Sequence, residues 1–319
     1  MNTPEKSNEI KLIRFYEAPV KAVWDAWTEP EQVAKWWGPR GFTLTSHSKD
    51  ITTGGHWHYT MHGPNGADYV NKTKYLEVVP YKKLHYDHGG NDERAPLFRV
   101  TVYFKEVKGG TEMDMTMALA TAEAAEQTRQ FIKKAGGDST WDRFAEYLKQ
   151  KASGKDVFVI NRSFNAPINV VFDMWTDPKH FSQWLAPTGF HMKFIKADIR
   201  PNGKTFYSMT AENGSMTLYG CAEYLKIERP HTLVYNQQFC DEHENISHHP
   251  MVPTYPETMQ TTVQFSEEGS HQTRVTVTWE PIGNVKPEEF AAFIQMRAGM
   301  TQGWTGSFDK LEEYLVHVR

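Results

Sequence analysis

The sequence repeats itself, and a chain that does so must fold twice into one shape. Ala18-Pro19-Val20-Lys21-Ala22-Val23-Trp24-Asp25-Ala26-Trp27-Thr28-Glu29-Pro30 matches Ala166-Pro167-Ile168-Asn169-Val170-Val171-Phe172-Asp173-Met174-Trp175-Thr176-Asp177-Pro178 at a constant offset of 148 (167 minus 19). The offset persists through Trp36/Trp184, Pro39/Pro187, Gly41-Phe42/Gly189-Phe190, Asp50/Asp198, Gly55/Gly203, Tyr59/Tyr207 and Met61/Met209. It becomes 149 at Tyr75-Leu76/Tyr224-Leu225 and Leu84/Leu233, then 161 at Phe104/Phe265, so twelve residues are inserted between Tyr235 and Phe265. The insertion holds Cys240-Asp-Glu-His-Glu-Asn-Ile-Ser-His-His-Pro250. A chain of 319 residues also exceeds what one core organises. Two domains, 1–150 and 156–319, are therefore expected, joined by a polar linker, Lys151-Ala-Ser-Gly-Lys155.

Each copy opens with a strand-like run, Ile10 to Glu17 and Val157 to Phe164, in which apolar and polar residues mostly alternate. Pro19 and Pro167, then Pro30 and Pro178, start two short helices, because a first helical position tolerates a missing N–H. Val20, Val23, Trp24 and Trp27 fall on one helical face, which should meet a sheet. Six strand-like segments broken by turn residues follow: 43–51, 56–62, 67–79, 84–88, 97–107 and 111–119. Long helices, 123–150 and 286–316, close the two copies. The expected class is α+β: a tandem helix-grip domain, each copy a curved antiparallel sheet around a long C-terminal helix, with two short helices after the first strand.

Alternation picks out the concave face. In the first copy it carries Trp57, Tyr59, Met61, Tyr86, His88, Met113 and Met115; in the second, Tyr207, Met209, Tyr235 and Gln237. The second closing helix adds Met296, Met300 and Trp304 on one face, with Arg297 beside them as the place where an anionic group would be met. This lining suits an apolar ligand pocket with a few polar tips. A solidly filled core reads the same composition differently.

The Ala-Pro start, the Val-(Trp/Phe)-Asp-x-Trp-Thr-(Glu/Asp)-Pro block, the Trp-(Trp/Leu)-x-Pro-x-Gly-Phe segment and Tyr-Leu-x-x-x-x-Pro-x-x-Leu-x-Tyr resemble the heat-shock-protein ATPase activator homologue-like family. That family lies in the START-like helix-grip superfamily, with polyketide cyclases, lipid-transfer proteins and the birch-pollen allergen. The resemblance implies the fold over nearly the whole chain, twice, and leaves activity open. It implies packing roles for Trp27, Trp36, Trp175 and Trp184, and suggests a chaperone as one partner. The Gly303-Trp304 pair of the second closing helix is Gly136-Gly137 in the first, so a kink is expected there, recapped by Asp138 or Ser139.

Net charge is −4 with both signs interspersed, so no basic stripe favours nucleic acid. No apolar run spans a bilayer and the opening MNTPEKSNEI lacks a leader pattern, so a cytoplasmic protein is expected. Cys221 and Cys240 are read as separate thiols. His56, His58 and His62 alternate with the inward residues and belong to the outer face; His243, His248 and His249 sit in a polar loop, possible as a lid over the pocket mouth. No metal or cofactor is expected. His88 with Tyr86 is the best acid/base pair, yet Gln237 replaces the histidine in the second copy and no carboxylate is aimed at either. The resulting expectation is a binding module for a small hydrophobic or amphipathic molecule. The alternatives are a cyclase- or hydrolase-like enzyme acting on such a molecule and a chaperone-activating or stress-response partner.

Overall fold

A computed structural model describes residues 7–91, 93–134, 139–269 and 271–318. The contacts divide the chain into Met1–Lys155 and Asp156–Arg319. The first unit runs β1 (Glu9–Tyr16), α1 (Val20–Thr28), α2 (Pro30–Trp36), β2 (Thr43–Lys49), β3 (His56–His62), β4 (Asp68–Val79), β5 (Lys83–Gly90), β6 (Phe98–Val107), β7 (Gly110–Ala118), α3 (Ala122–Lys134) and α4 (Ser139–Ser153). The second runs β8 (Phe158–Phe164), α5 (Ile168–Thr176), α6 (Pro178–Trp184), β9 (Phe190–Ala197), β10 (Lys204–Ala211), β11 (Thr217–Glu228), β12 (Thr232–Cys240), β13 (Thr258–Gly269), β14 (Gln272–Pro281) and α7 (Pro287–His317). Each sheet has seven antiparallel strands, in the orders β1-β7-β6-β5-β4-β3-β2 and β8-β14-β13-β12-β11-β10-β9. The expected α+β, tandem helix-grip architecture is what the chain adopts.

The repeat extends to single hydrogen bonds. Trp36 and Trp184 donate their indole N–H to the Ala26 and Met174 carbonyls, 2.9 and 3.0 Å away, and so lock the second short helix of each unit to the first. Thr111 and Thr273 hydroxyls donate to Ala18 and Ala166 carbonyls. Arg14 pairs with Asp142 and Arg162 with Asp309, tying the first strand of each unit to its closing helix. Both side chains of the Arg14–Asp142 pair are almost wholly buried, so removing one partner leaves a charge uncompensated. Tyr147 donates to Gln32 and the Tyr314 hydroxyl bonds His180, again at equivalent positions.

Three expectations are corrected. The first closing segment is two helices, α3 and α4; Gly136-Gly137 and Asp138 lie outside the described residues, and Ser139 is the first residue of α4. The stretch 151–155 is not all linker, because α4 continues through Ser153. Lys151 and Ala152 favour helix, and the stop comes at Gly154, whose φ of +69° suits the glycine that follows a helix and whose N–H closes onto the Gln150 carbonyl at 2.7 Å. Cys221 and Cys240 are not separate thiols. They lie diagonally on the paired strands β11 and β12, with Cα atoms 6.4 Å apart, and form a disulfide. Spacing along the chain did not reveal this, because strand register brings the two together.

Two glycines of α7 face opposite situations. A methyl on Gly303 would meet nothing within 4 Å, whereas one on Gly306 would lie 2.5 Å from the Thr188 hydroxyl oxygen. Gly303→Ala should stabilise the protein by roughly 0.5–1 kcal/mol through helix propensity, and Gly306→Ala should destabilise it; urea unfolding midpoints check both signs. Mass spectrometry after alkylation without reductant should find neither cysteine modified, and alkylation of both would remove the disulfide.

Candidate functional site

The alternating residues line the face of each sheet that the closing segment covers. Trp57, Tyr59, Tyr86, Met113 and Met115 are all at most 3 % exposed and share one apolar cluster, against which Met61 packs. In the second unit Tyr235, Met300 and Trp304 belong to the cluster and Met296 packs on it; Met209 and Gln237 are half-buried. His56, His58 and His62 lie on the other face, where His62 bonds Thr45 and Asp68. Among the described residues no three His, Cys, Asp or Glu side chains assemble as a metal site.

Strand register arranges the inner face in rows. One row of the second sheet reads Tyr224, Tyr235, Thr261, Trp279, Phe158, because each is paired across the ladder with the next. The equivalent row of the first sheet reads Tyr75, Tyr86, Val100, Met117, Ile10. Neighbours in a row have side chains within about 5 Å of one another. Tyr75 and Tyr86 rings are 5.8 Å apart, and Tyr224 and Tyr235 rings 5.3 Å.

Tyr59 and Tyr207 complete a trio of tyrosines at equivalent places in both units. Thr73 and Trp37 lie near the Tyr59 hydroxyl, Thr205 near that of Tyr224 and Thr261 near that of Tyr235, yet the Tyr59, Thr73 and Thr261 hydroxyls are buried without a hydrogen-bond partner among the described residues. Burial raises every one of these phenols, Tyr207 to about 12, so they act as neutral hydrogen-bonding groups. Gly220, opposite Tyr207 on the ladder, makes room for the ring: a methyl there would lie 2.5 Å from it. The sequence signal for Tyr75 and Tyr224 is their place in the repeat, at an offset of 149. Alternation places Thr205, Thr261 and Trp279 on the inner face of the second copy, whereas Trp37 carries no sequence signal of its own.

His88 and Tyr86 do sit together, their rings 6.4 Å apart. His88 stacks on Phe98 at 4.9 Å and stands 6.1 Å from Trp37. Loss of water, with a smaller contribution from the Arg94 charge, pushes its imidazole down to about 4. Such a group is neutral near pH 7 and a weak base. Arg297 is engaged by the backbone: its guanidinium donates to the Val157 carbonyl and lies 3.6 Å from Asp156. Arg129 makes the equivalent bond to the Glu9 carbonyl, so this arginine ties the closing helix to the first strand in both units.

The insertion does two things. Its first half, with Tyr219 and Phe239, borders a depression of about 370 Å³ lined also by Cys240, Asp241, His243 and His248. Asp241 accepts from the His243 and Asn245 backbone N–H groups, and Asn245 holds its carboxyl below the ordinary value. The second half folds inward: His249 packs on Phe239 at 4.6 Å and Tyr255, nearly fully buried, joins the core. In the first unit the place of Phe239 is taken by Gly90 (239 minus 149).

Because the folded His88 takes up a proton near pH 4 and an unfolded one near 6.5, the unfolded chain binds more protons between those values. Its contribution is intact above about 6.5 and is lost as pH falls toward 4, with a slope of at most about 1.4 kcal/mol per pH unit. His88→Gln, which copies Gln237, should flatten the loss of stability between pH 7 and pH 5; an unchanged difference in urea midpoints between the two pH values would contradict the assignment.

The profile of the family described as Activator of Hsp90 ATPase homolog 1-like protein matches residues 17–149 and 165–316. A search of curated proteins finds no match. Among solved structures, a Mycobacterium smegmatis protein is 21 % identical and covers 50 % of this chain and 90 % of its own, with a TM-score of 0.42. A Staphylococcus epidermidis protein is 27 % identical over 47 % of this chain and 95 % of its own, at 0.41. A Silicibacter pomeroyi protein titled AHSA1 is 16 % identical over 51 % and 99 %, at 0.40. The family profile is met twice, once in each unit, and the chain belongs to the family of Activator of Hsp90 ATPase homolog 1-like proteins.

Proposed function

We propose that this protein is a non-enzymatic binding module that holds a small amphipathic molecule between sheet and closing helix. The observation that carries this reading is the tyrosine trio, Tyr59, Tyr75 and Tyr86, repeated as Tyr207, Tyr224 and Tyr235. Five of the six are buried and Tyr207 is half-buried, and a plain core has no use for such hydroxyls, each of which must find a partner or weaken the fold. Retained at equivalent places in two units that otherwise exchanged most of their inner side chains, they suit the polar end of a mostly apolar ligand. His88 is a poor general base at neutral pH, which favours binding over catalysis.

A chaperone partner is the second reading, and it rests on the family's description alone. A cytoplasmic location fits a chain in which no helix of the described residues is long and apolar enough to cross a membrane. The Cys221–Cys240 bond argues the other way, since structural disulfides persist mainly in oxidising compartments.

Calorimetric titration with dodecanol tests the reading. Saturable binding is expected, and Tyr235→Phe, which keeps the ring and deletes the hydroxyl, should weaken it up to about tenfold, the worth of one hydrogen bond. No detectable binding to the parent protein would overturn the proposal.

A further inference from the structure

The second unit carries two polar groups that the first does not. The indole N–H groups of Trp279 and Trp304 are buried and have no acceptor among the described residues. Their rings are 5.7 Å apart, one on β14 and one on α7, so they face each other across the gap between sheet and helix. Trp304 is only 4 % exposed. Trp279 follows Thr261 and Tyr235 in the inner row, so the two indoles extend a line of hydroxyls. In the first unit the place of Trp279 is Met117, which has no N–H to offer.

An indole can donate and cannot accept. Burying such a donor without a partner costs about 1–3 kcal/mol, and here two stand side by side. Neighbouring hydroxyls do not take them up: the Thr261 hydroxyl, next to Trp279 in the row, is itself buried without a hydrogen-bond partner among the described residues. The Nε–H of Arg297, seven residues before Trp304 and so on the same side of α7, is likewise buried without an acceptor, although the Nη2 of the same guanidinium is engaged by Val157 and Asp156.

Resting on the binding function proposed above, we infer that the second unit is selective for an apolar molecule whose head bears hydrogen-bond-accepting oxygen and no donor, a carboxylate or an ester carbonyl. Trp279 and Trp304 would donate to that oxygen, Tyr235 and Thr261 would bound the head, and the apolar tail would lie along Met296 and Met300. The first unit, with Met117 in place of the indole, would not discriminate.

The test is titration of the full chain with lauric acid, methyl laurate and dodecane, using the parent, Trp279→Phe and Trp304→Phe. Phenylalanine keeps an aromatic ring and removes the N–H. Lauric acid and methyl laurate are expected to bind, each substitution weakening them about three- to tenfold, with dodecane unaffected. Equal affinity of lauric acid for parent and both variants overturns the inference, as does binding of dodecane with lauric acid excluded; in both cases the binding function itself survives. If dodecanol and all three probes fail to bind the parent, the binding function falls and the inference with it.

Discussion

An antiparallel sheet with one apolar face is unstable in water until that face is covered, and the whole chain is organised around that need. In both units the covering element is the closing helix, held down by the same kinds of contact. The Arg14–Asp142 and Arg162–Asp309 pairs fasten α4 and α7 to the first strands, and Arg129 of α3 and Arg297 of α7 donate to the Glu9 and Val157 carbonyls at the start of those strands. Arg143 and Lys310 donate to carbonyls of the loop that follows the second short helix, fixing the helix along its length. Every side chain between sheet and helix takes its environment from this clamp.

Within that frame the two units distribute bulk differently. Trp57, Phe98 and Val100 of the first sheet are Thr205, Met259 and Thr261 in the second. The closing helix compensates: taking Arg129 and Arg297 as equivalent, Ala125 of α3 becomes Phe293 of α7. Interior volume has to be filled at near-crystalline density, so a smaller residue on one wall requires a larger one on the other. The exchange left polar tips behind in the second unit, which is why that unit carries the sharper binding hypothesis. It also left the insertion to cap one end of the inner face, where Tyr255 and His249 pack on Phe239.

Much of the architecture was legible because its signals are local or repeated. The alternation of Trp57, Tyr59 and Met61 with three histidines identified the inner face, and the paired prolines identified both short helices. The end of α4 was misplaced because Lys151 and Ala152 look as polar or small as linker residues yet extend a helix without difficulty. Cys221 and Cys240 were misread for a different reason: residues 19 apart meet only through the register of two strands. His88, offered by its strand position as an acid/base candidate, is half-buried against Phe98, Trp37 and Tyr86, and the packing that lowers its imidazole is assembled by the fold.

By itself the amino-acid order determined that there are two copies, that each is a sheet closed by a helix, and which faces turn inward, since periodicity and self-similarity are properties of the chain alone. The row Tyr224, Tyr235, Thr261, Trp279 belongs to the tertiary structure, and so do the indole pair across sheet and helix and the disulfide. These depend on which residue stands opposite which across a strand pair or a packing gap. Periodicity tells which way a side chain points; only the folded register tells what it meets.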